Sequence, residues 1–184
     1  MKNILLIALI SSTLFACVEV KFKNAQPIKT KKLTEFPQEL QGKYLFSIKD
    51  TLNEKDTFVI GKNYFSEFVF GEKPSNSSNK NIPLSDSLLL KKIDNNYTLS
   101  FKEKKLWTVI LIKPNKDGHG IFWIEGEDED TAEQLNLTTK VETIKDEDGK
   151  IKSYVLDPKK KEFMKMTTNK YIFSKLYDLK KINP

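Results

Sequence analysis

The chain contains no arginine, so all 31 of its basic residues are lysines. Arginine supplies the planar, bidentate fork used on phosphates, carboxylates and base edges, and lysine does not replace it there. Sequence-specific recognition of nucleic acid is therefore not expected, and no nucleic-acid partner is assigned. The absence of arginine, with abundant asparagine and isoleucine, also fits the codon bias of an AT-rich bacterial genome. Histidine occurs once, at His119, and cysteine once, at Cys17. A single cysteine excludes an intrachain disulfide. A zinc site needs three or four ligands drawn largely from nitrogen and sulfur, so the scarcity of both residues argues against one. No metal or other cofactor is expected, and the folded part has to hold together by packing alone. The net charge of +6 is spread among 25 acidic residues, without the basic block that marks a polyanion-binding tail. Lysines near an anionic bilayer would still add attraction.

The one long apolar run lies at the start of the chain. Lys2 precedes Ile4 to Ile10, which continue through Ser11, Ser12 and Thr13 to Leu14 and Phe15. That is shorter than the roughly 20 apolar residues of a stable bilayer span, and it suits the hydrophobic core of a signal peptide. The run ends in Leu14-Phe15-Ala16-Cys17. This stretch resembles the bacterial lipoprotein signal, in which the peptide is removed before the cysteine and the thiol receives a diacylglyceryl group. Phe15 is bulkier than the residue usual at its position. The resemblance implies a signal peptide over 1–16, lipidation of Cys17 and attachment to the membrane through that lipid. An ordinary secretory signal cut after Ala16, or an uncleaved anchor, is the competing expectation. Acylation gives the lone cysteine a use in a compartment where a free thiol is a liability. Two or more acyl chains anchor durably where one does not. Val18 after the cysteine, in place of an aspartate associated with inner-membrane retention, points to the outer membrane, with the domain outside the cytoplasm.

Residues 17–35 are polar, lack sustained periodicity and contain Pro27, so they read as a lipidated tether. Brief alternation at Val18, Val20 and Phe22 leaves room for a short strand. The span 36–184 has the length of a single domain with a true core. A helical turn is expected between Pro37 and Gly42, followed by strands of period two at 43–49, 56–60 and 64–70 and a loop over 71–81. Further strands are expected at 87–93, 97–102, 106–112, 119–125, 140–145 and 150–156. Leu106 to Ile112 are apolar on both faces apart from Thr108, which predicts a central strand covered on both sides. Asp146-Glu147-Asp148-Gly149 supplies a hairpin turn with positive φ at its glycine. Asp157 and Pro158 predict the cap and first residue of a C-terminal helix, with Phe163, Met166 and Met164 toward the sheet. A second helix is expected over 130–137, and residues 171–179 fit either a strand or a short helix. The fold class is mainly β: an antiparallel meander, closed or strongly curved into a barrel-like sheet, with an open sandwich as the alternative.

The catalytic inventory is thin. His119, between Gly118 and Gly120, reads as an exposed turn residue, and a nucleophile triad needs a histidine with positioned partners. The acidic runs at 125–130 and 146–149 offer oxygen atoms but miss the spacing of a calcium-binding EF-hand loop. No pair of carboxylates stands out for glycoside hydrolysis. The aromatics Tyr44, Phe46, Tyr64, Phe68, Phe70, Trp107, Phe122 and Trp123 fall in expected strands. In a barrel with a cavity, Tyr44, Phe46, Phe68, Trp107 and Trp123 are the candidate lining of a ligand site. Strand number and size are similar to lipocalin-like barrels, with Gly42-Lys43-Tyr44 a faint echo of their opening Gly-x-Trp. The composition also resembles small lipoproteins of Bacteroidetes-type bacteria, which implies location and little mechanism.

Two functional expectations follow. One is a non-enzymatic envelope lipoprotein binding a protein or an envelope component. The alternative is a carrier or sensor of a small hydrophobic ligand, for which an apolar cavity inside the sheet is the discriminating observation. An envelope hydrolase is the third and least supported. For the anchor, Cys17→Ala is expected to abolish incorporation of labelled palmitate and to leave unprocessed precursor. Normal maturation of that variant would defeat the lipidation reading.

Overall fold

A computed structural model describes residues 18–48, 51–66, 81–126 and 129–182. Cys17, the signal segment, Phe68 and Phe70 lie outside the described residues. In chain order the elements are β1 (Glu19–Phe22), β2 (Lys32–Leu33), β3 (Gly42–Ile48), β4 (Thr51–Ile60), β5 (Tyr64–Ser66), β6 (Asn81–Pro83), β7 (Leu88–Ile93), β8 (Asn96–Glu103), β9 (Leu106–Asn115) and β10 (Gly118–Trp123). They continue with α1 (Glu129–Thr138), β11 (Val141–Lys145), β12 (Ile151–Leu156), α2 (Lys160–Thr168) and β13 (Ser174–Lys181). The strands form one curled sheet, antiparallel except where β1 runs parallel to β12, and the sheet makes a half-barrel.

The sheet is organised on β9. Its alternation is apolar on both sides, and each side serves a different core. Trp107, Val109 and Leu111 join Val20, Phe22, Leu156 and the helix residues Leu135, Phe163 and Met166 in one cluster. Ile112 joins Tyr44, Ile60, Leu90, Tyr97 and Leu179 in the other, on the concave side. A strand buried on both faces cannot carry the polar positions of a half-solvated one, which is why this segment reads as a continuous apolar run. Along one edge β9 pairs with β8 from Leu106 to Ile112. The other edge is divided. β1 meets it at Trp107, while β10 takes over from Leu111 to Asn115.

The segment expected as a tether is folded. Val20 and Phe22 are buried, and Phe22 packs edge-on against Phe163 with ring centroids 5.9 Å apart. Their alternation was the legible part of a strand whose neighbours, β12 and β9, come from far along the chain. After β1 the chain is held against β7 and β8 by polar side chains. The Lys91 ammonium donates to the carbonyls of Ala25 and Pro27, at 2.7 and 3.0 Å, and the Thr98 hydroxyl donates to the Gln26 carbonyl at 2.7 Å. Lys91 is buried, and that burial lowers its pKa. The chain then returns to the sheet as β2 on β7. Lack of periodicity there reflects backbone carbonyls satisfied by distant donors, not a free chain.

Other expectations meet the structure with smaller changes. The turn after Pro37 is present, closed by Leu40 N–H to the Pro37 carbonyl at 2.9 Å, and Phe36 and Leu40 plug the concave core. β4 starts at Thr51, earlier than expected, because the strand pairs across a register shift with Phe46 to Ile48. α2 begins at Lys160 with Lys159 as its N-cap. Asp157 instead accepts a bond from Asn24, and Glu162 reaches back to the Lys159 N–H at 2.9 Å. Phe163 and Met166 are buried and Met164 packs against them, as expected. Residues 174–181 resolve as a strand. At the β11–β12 turn, Gly149 has φ +78°, and the Asp146 carboxylate accepts from the N–H groups of Asp148 and Lys150. Because Phe22 is a core residue, Phe22→Ala is expected to cost about 3–5 kcal/mol in chemical denaturation. A change below about 1 kcal/mol would return this segment to a tether role.

Candidate functional site

The concave face of the half-barrel encloses an apolar cavity of about 280 Å³. Period two puts its lining there. Leu99, Phe101 and Glu103 share one face of β8, and Thr108, Ile110 and Ile112 share the matching face of β9. Phe36, Phe58, Ile60, Phe65 and Ile82 close one side, and Ile121, Tyr177 and Leu179 the other. Among these residues the polar pair Glu103 and Thr108 lies at the β8–β9 hairpin end. The register runs from Glu103 opposite Leu106 to Tyr97 opposite Ile112, so polarity falls steadily along the strand pair. Phe65 stands edge-on to Phe101 and tilted against Phe58, with centroids 5.9 and 5.7 Å apart. An aromatic wall of this kind offers large, stiff apolar area.

Beyond the end of β8–β9 marked by Tyr97 and Ile112, the interior is closed by a buried polar chain. His119 belongs to β10, where it is 3% exposed, and is not the surface turn residue expected from its glycine neighbours. Gly118 is required by close packing: a Cβ there would stand 1.8 Å from the Leu179 carbonyl oxygen. That approach sets β10 against β13 and turns the next residue inward. The Tyr44 hydroxyl donates to the Leu40 carbonyl at 2.8 Å, and its oxygen lies 2.8 Å from His119 Nε2. Since a carbonyl only accepts, the single hydroxyl proton is committed to Leu40, and Nε2–H must be the donor to Tyr44. Nδ1 is buried and makes no hydrogen bond, so a second proton there would be unpaired and the ring is neutral,. Burial, reinforced by Lys181, lowers the His119 pKa to about 4 against the opposing pull of Glu39. Burial also raises Tyr44 to about 12. Nearby, Tyr97 donates to the Glu39 carboxylate; burial and that bond raise Tyr97 to about 12, and the same bond lowers Glu39 against the effect of its burial.

A second space, about 740 Å³, lies where β1 and β10 diverge from their shared edge of β9. The register leaves Thr108, Val109 and Ile110 without a strand neighbour on that side. This rift is lined by β1 with Val18, by Trp123, Glu125 and Gly126, and by Glu103, Thr108 and Ile110, which also line the concave cavity. Lys21 is 7% exposed, and its ammonium contacts Glu103 at 2.6 Å, Thr108 Oγ1 at 2.9 Å and Glu19 at 3.4 Å.

The aromatic candidates are dispersed. Tyr44 is part of the concave core but bonds to His119 and does not face the cavity. Trp107 faces the opposite core, and Trp123 lines the rift with Nε1 3.4 Å from Glu125. Phe46 lies in β3, and Phe68 lies outside the described residues. Half of the cavity's lining is aliphatic, including Leu99, Ile110, Ile112, Ile121 and Leu179, and its aromatics are Phe36, Phe58, Phe65, Phe101 and Tyr177. None of the described candidates Tyr44, Trp107 and Trp123 is among its lining residues. The usable signal was the inward register of β8 and β9. Among the described residues no group of three or more His, Cys, Asp or Glu is placed to hold a metal ion, and no helix is long and apolar enough to cross a membrane. No protein-family model, curated protein or solved structure matches the chain.

The depressed His119 pKa has a definite consequence for stability. Above the unfolded-state value of about 6.5 both states are neutral and the stability is fully present. As pH falls from about 6.5 toward the folded value of about 4, the unfolded chain takes up the proton first and stability declines. The expected loss is on the order of 2–3 kcal/mol across that window, measured by urea denaturation at stepped pH. The His119→Leu protein should lack this component of the slope, and an unchanged slope would overturn the assignment.

Proposed function

We propose that this protein is a lipoprotein of the bacterial envelope, anchored through Cys17 at the outer membrane, whose half-barrel holds a small hydrophobic molecule. The observation that carries the reading is the apolar concave cavity with its one polar end. A cavity of this kind is what separates a carrier or sensor from a domain that binds only through its surface. Each methylene withdrawn from water contributes about 0.8 kcal/mol. A chain of about ten would gain roughly 8 kcal/mol, from which association costs of at least about 4 kcal/mol are subtracted. The net corresponds to millimolar affinity at best for a plain chain, improving where a polar head finds a partner.

The anchor and the cavity support each other. Val18, the residue that follows the lipidated cysteine in this reading, lines the rift beside the cavity's polar end. With β1 folded into the sheet, little chain is left to hold the domain away from the bilayer. A binding role in place of catalysis is supported by His119, whose Nε2 is bonded to Tyr44 in the interior and not to a nucleophile.

The test is saturable binding of an apolar fluorescent probe, N-phenylnaphthylamine, to the mature lipoprotein in detergent-free nanodiscs. One equivalent is expected to bind. The double variant Leu99→Phe with Ile110→Phe, which fills the cavity from two adjacent strands, should lose at least tenfold in affinity while keeping a cooperative melt. Unchanged affinity in that folded variant would place the probe elsewhere and reject the cavity as the site.

A further inference from the structure

The concave cavity and the rift share three residues, Glu103, Thr108 and Ile110. Their chemistry changes along that shared wall. On the Ile110 side the lining is aliphatic and aromatic, from Leu99, Phe101 and Ile112. On the Glu103 side it carries charge, from Glu19, Lys21, Glu103 and Glu125, with Trp123 beside Glu125. The rift also exposes the stretch of β9 from Thr108 to Ile110 that has no strand neighbour there. A molecule confined to the cavity would leave this polar annex empty, whereas one that extends past Thr108 and Ile110 would occupy both spaces.

We propose that the ligand is a single-chain amphiphile with a cationic head, its tail in the concave cavity and its head in the rift. This deepens the reading of the half-barrel as a hydrophobic-ligand site and rests on it. The sign of the head follows from which groups are already committed. The Lys21 ammonium donates to Glu103 and Thr108 and stands 3.4 Å from the Glu19 carboxylate. Its charge is thus balanced within the protein, and it is a poor partner for an anionic head. The rift then presents three carboxylates against that single, satisfied cation, for a net charge near −2 from the lining side chains. Carboxylates only accept hydrogen bonds, so the head has to donate. Trp123 at the same wall adds an aromatic face suited to an ammonium group,. An ammonium in the rift meets acceptors and a ring, while a carboxylate there meets like charge.

The experiment compares dodecylamine, dodecanol and dodecanoate, each below its micellar concentration, by calorimetry and tryptophan fluorescence on the full mature lipoprotein in nanodiscs. Nanodiscs without protein correct for partition into the lipid. Dodecylamine is expected to bind at least tenfold more tightly than dodecanoate, with dodecanol between them. Its binding should shift the tryptophan emission, and the shift should be lost in Trp123→Phe while calorimetric affinity falls only modestly. Glu125→Gln, which neutralises a rift carboxylate that Lys21 does not hold, should reduce the preference for amine over alcohol severalfold, with thermal melting confirming the fold. If none of the three binds, the half-barrel is not a ligand site and the underlying reading fails. If all bind equally and the Trp123 signal is silent, the cavity holds the chain but the rift does not hold the head. Tighter binding of dodecanoate than of dodecylamine would overturn the assignment of charge.

Discussion

Everything in this fold depends on β9 being buried on both faces while sharing one of its edges between two strands. Trp107, Val109 and Leu111 face the helices, and Ile110 and Ile112 face the half-barrel. Two cores built on one strand couple the helical side of the molecule to the concave side. The divided edge has its own cost. β1 and β10 cannot both pair along its whole length, so the sheet opens between them and the rift results. Space beside the cavity is thus a product of the topology that makes the two cores possible.

Polar groups at the two ends of the concave interior are treated differently. At the closed end, Leu40, Tyr44 and His119 form a chain of bonds that leaves His119 Nδ1 unbonded, and burial holds the histidine neutral. Such a chain ties the turn at 36–41 to β3 and β10 and seals the interior. At the hairpin end, Lys21 holds Glu103 and Thr108 across a gap that no strand fills. A buried ammonium removed from one partner would be left uncompensated, so the bridge fixes the position of β1 relative to β8 and β9. The same bridge gives the proposed ligand site its polar boundary.

Much of the meander was legible because the period of two is a local property. Tyr97, Leu99 and Phe101 alternate within a single strand, and the turns at 94–96 and 146–149 carry residues that tolerate positive φ or bond their own backbone,. The doubly buried β9 was legible for the same reason. What escaped was any feature whose partners lie far away in the chain. Val20 and Phe22 looked like fragments of a tether because the strands that cover them begin at Leu106 and Ile151. His119 looked like a turn residue because its burial comes from β13 and the turn at Leu40, neither of which is adjacent in sequence.

The sequence by itself determined the mainly β class, the inward and outward faces of the central strands and the absence of an intrachain disulfide. Those follow from side-chain type and spacing over a few residues, where sterics and periodicity act without help. Tertiary structure alone decided that the sheet stops at a half-barrel, that β1 inserts between β12 and β9, and that an apolar cavity and a charged rift share Glu103, Thr108 and Ile110. These are matters of which strand wins a shared edge, and that competition is settled by long-range burial that no local window contains.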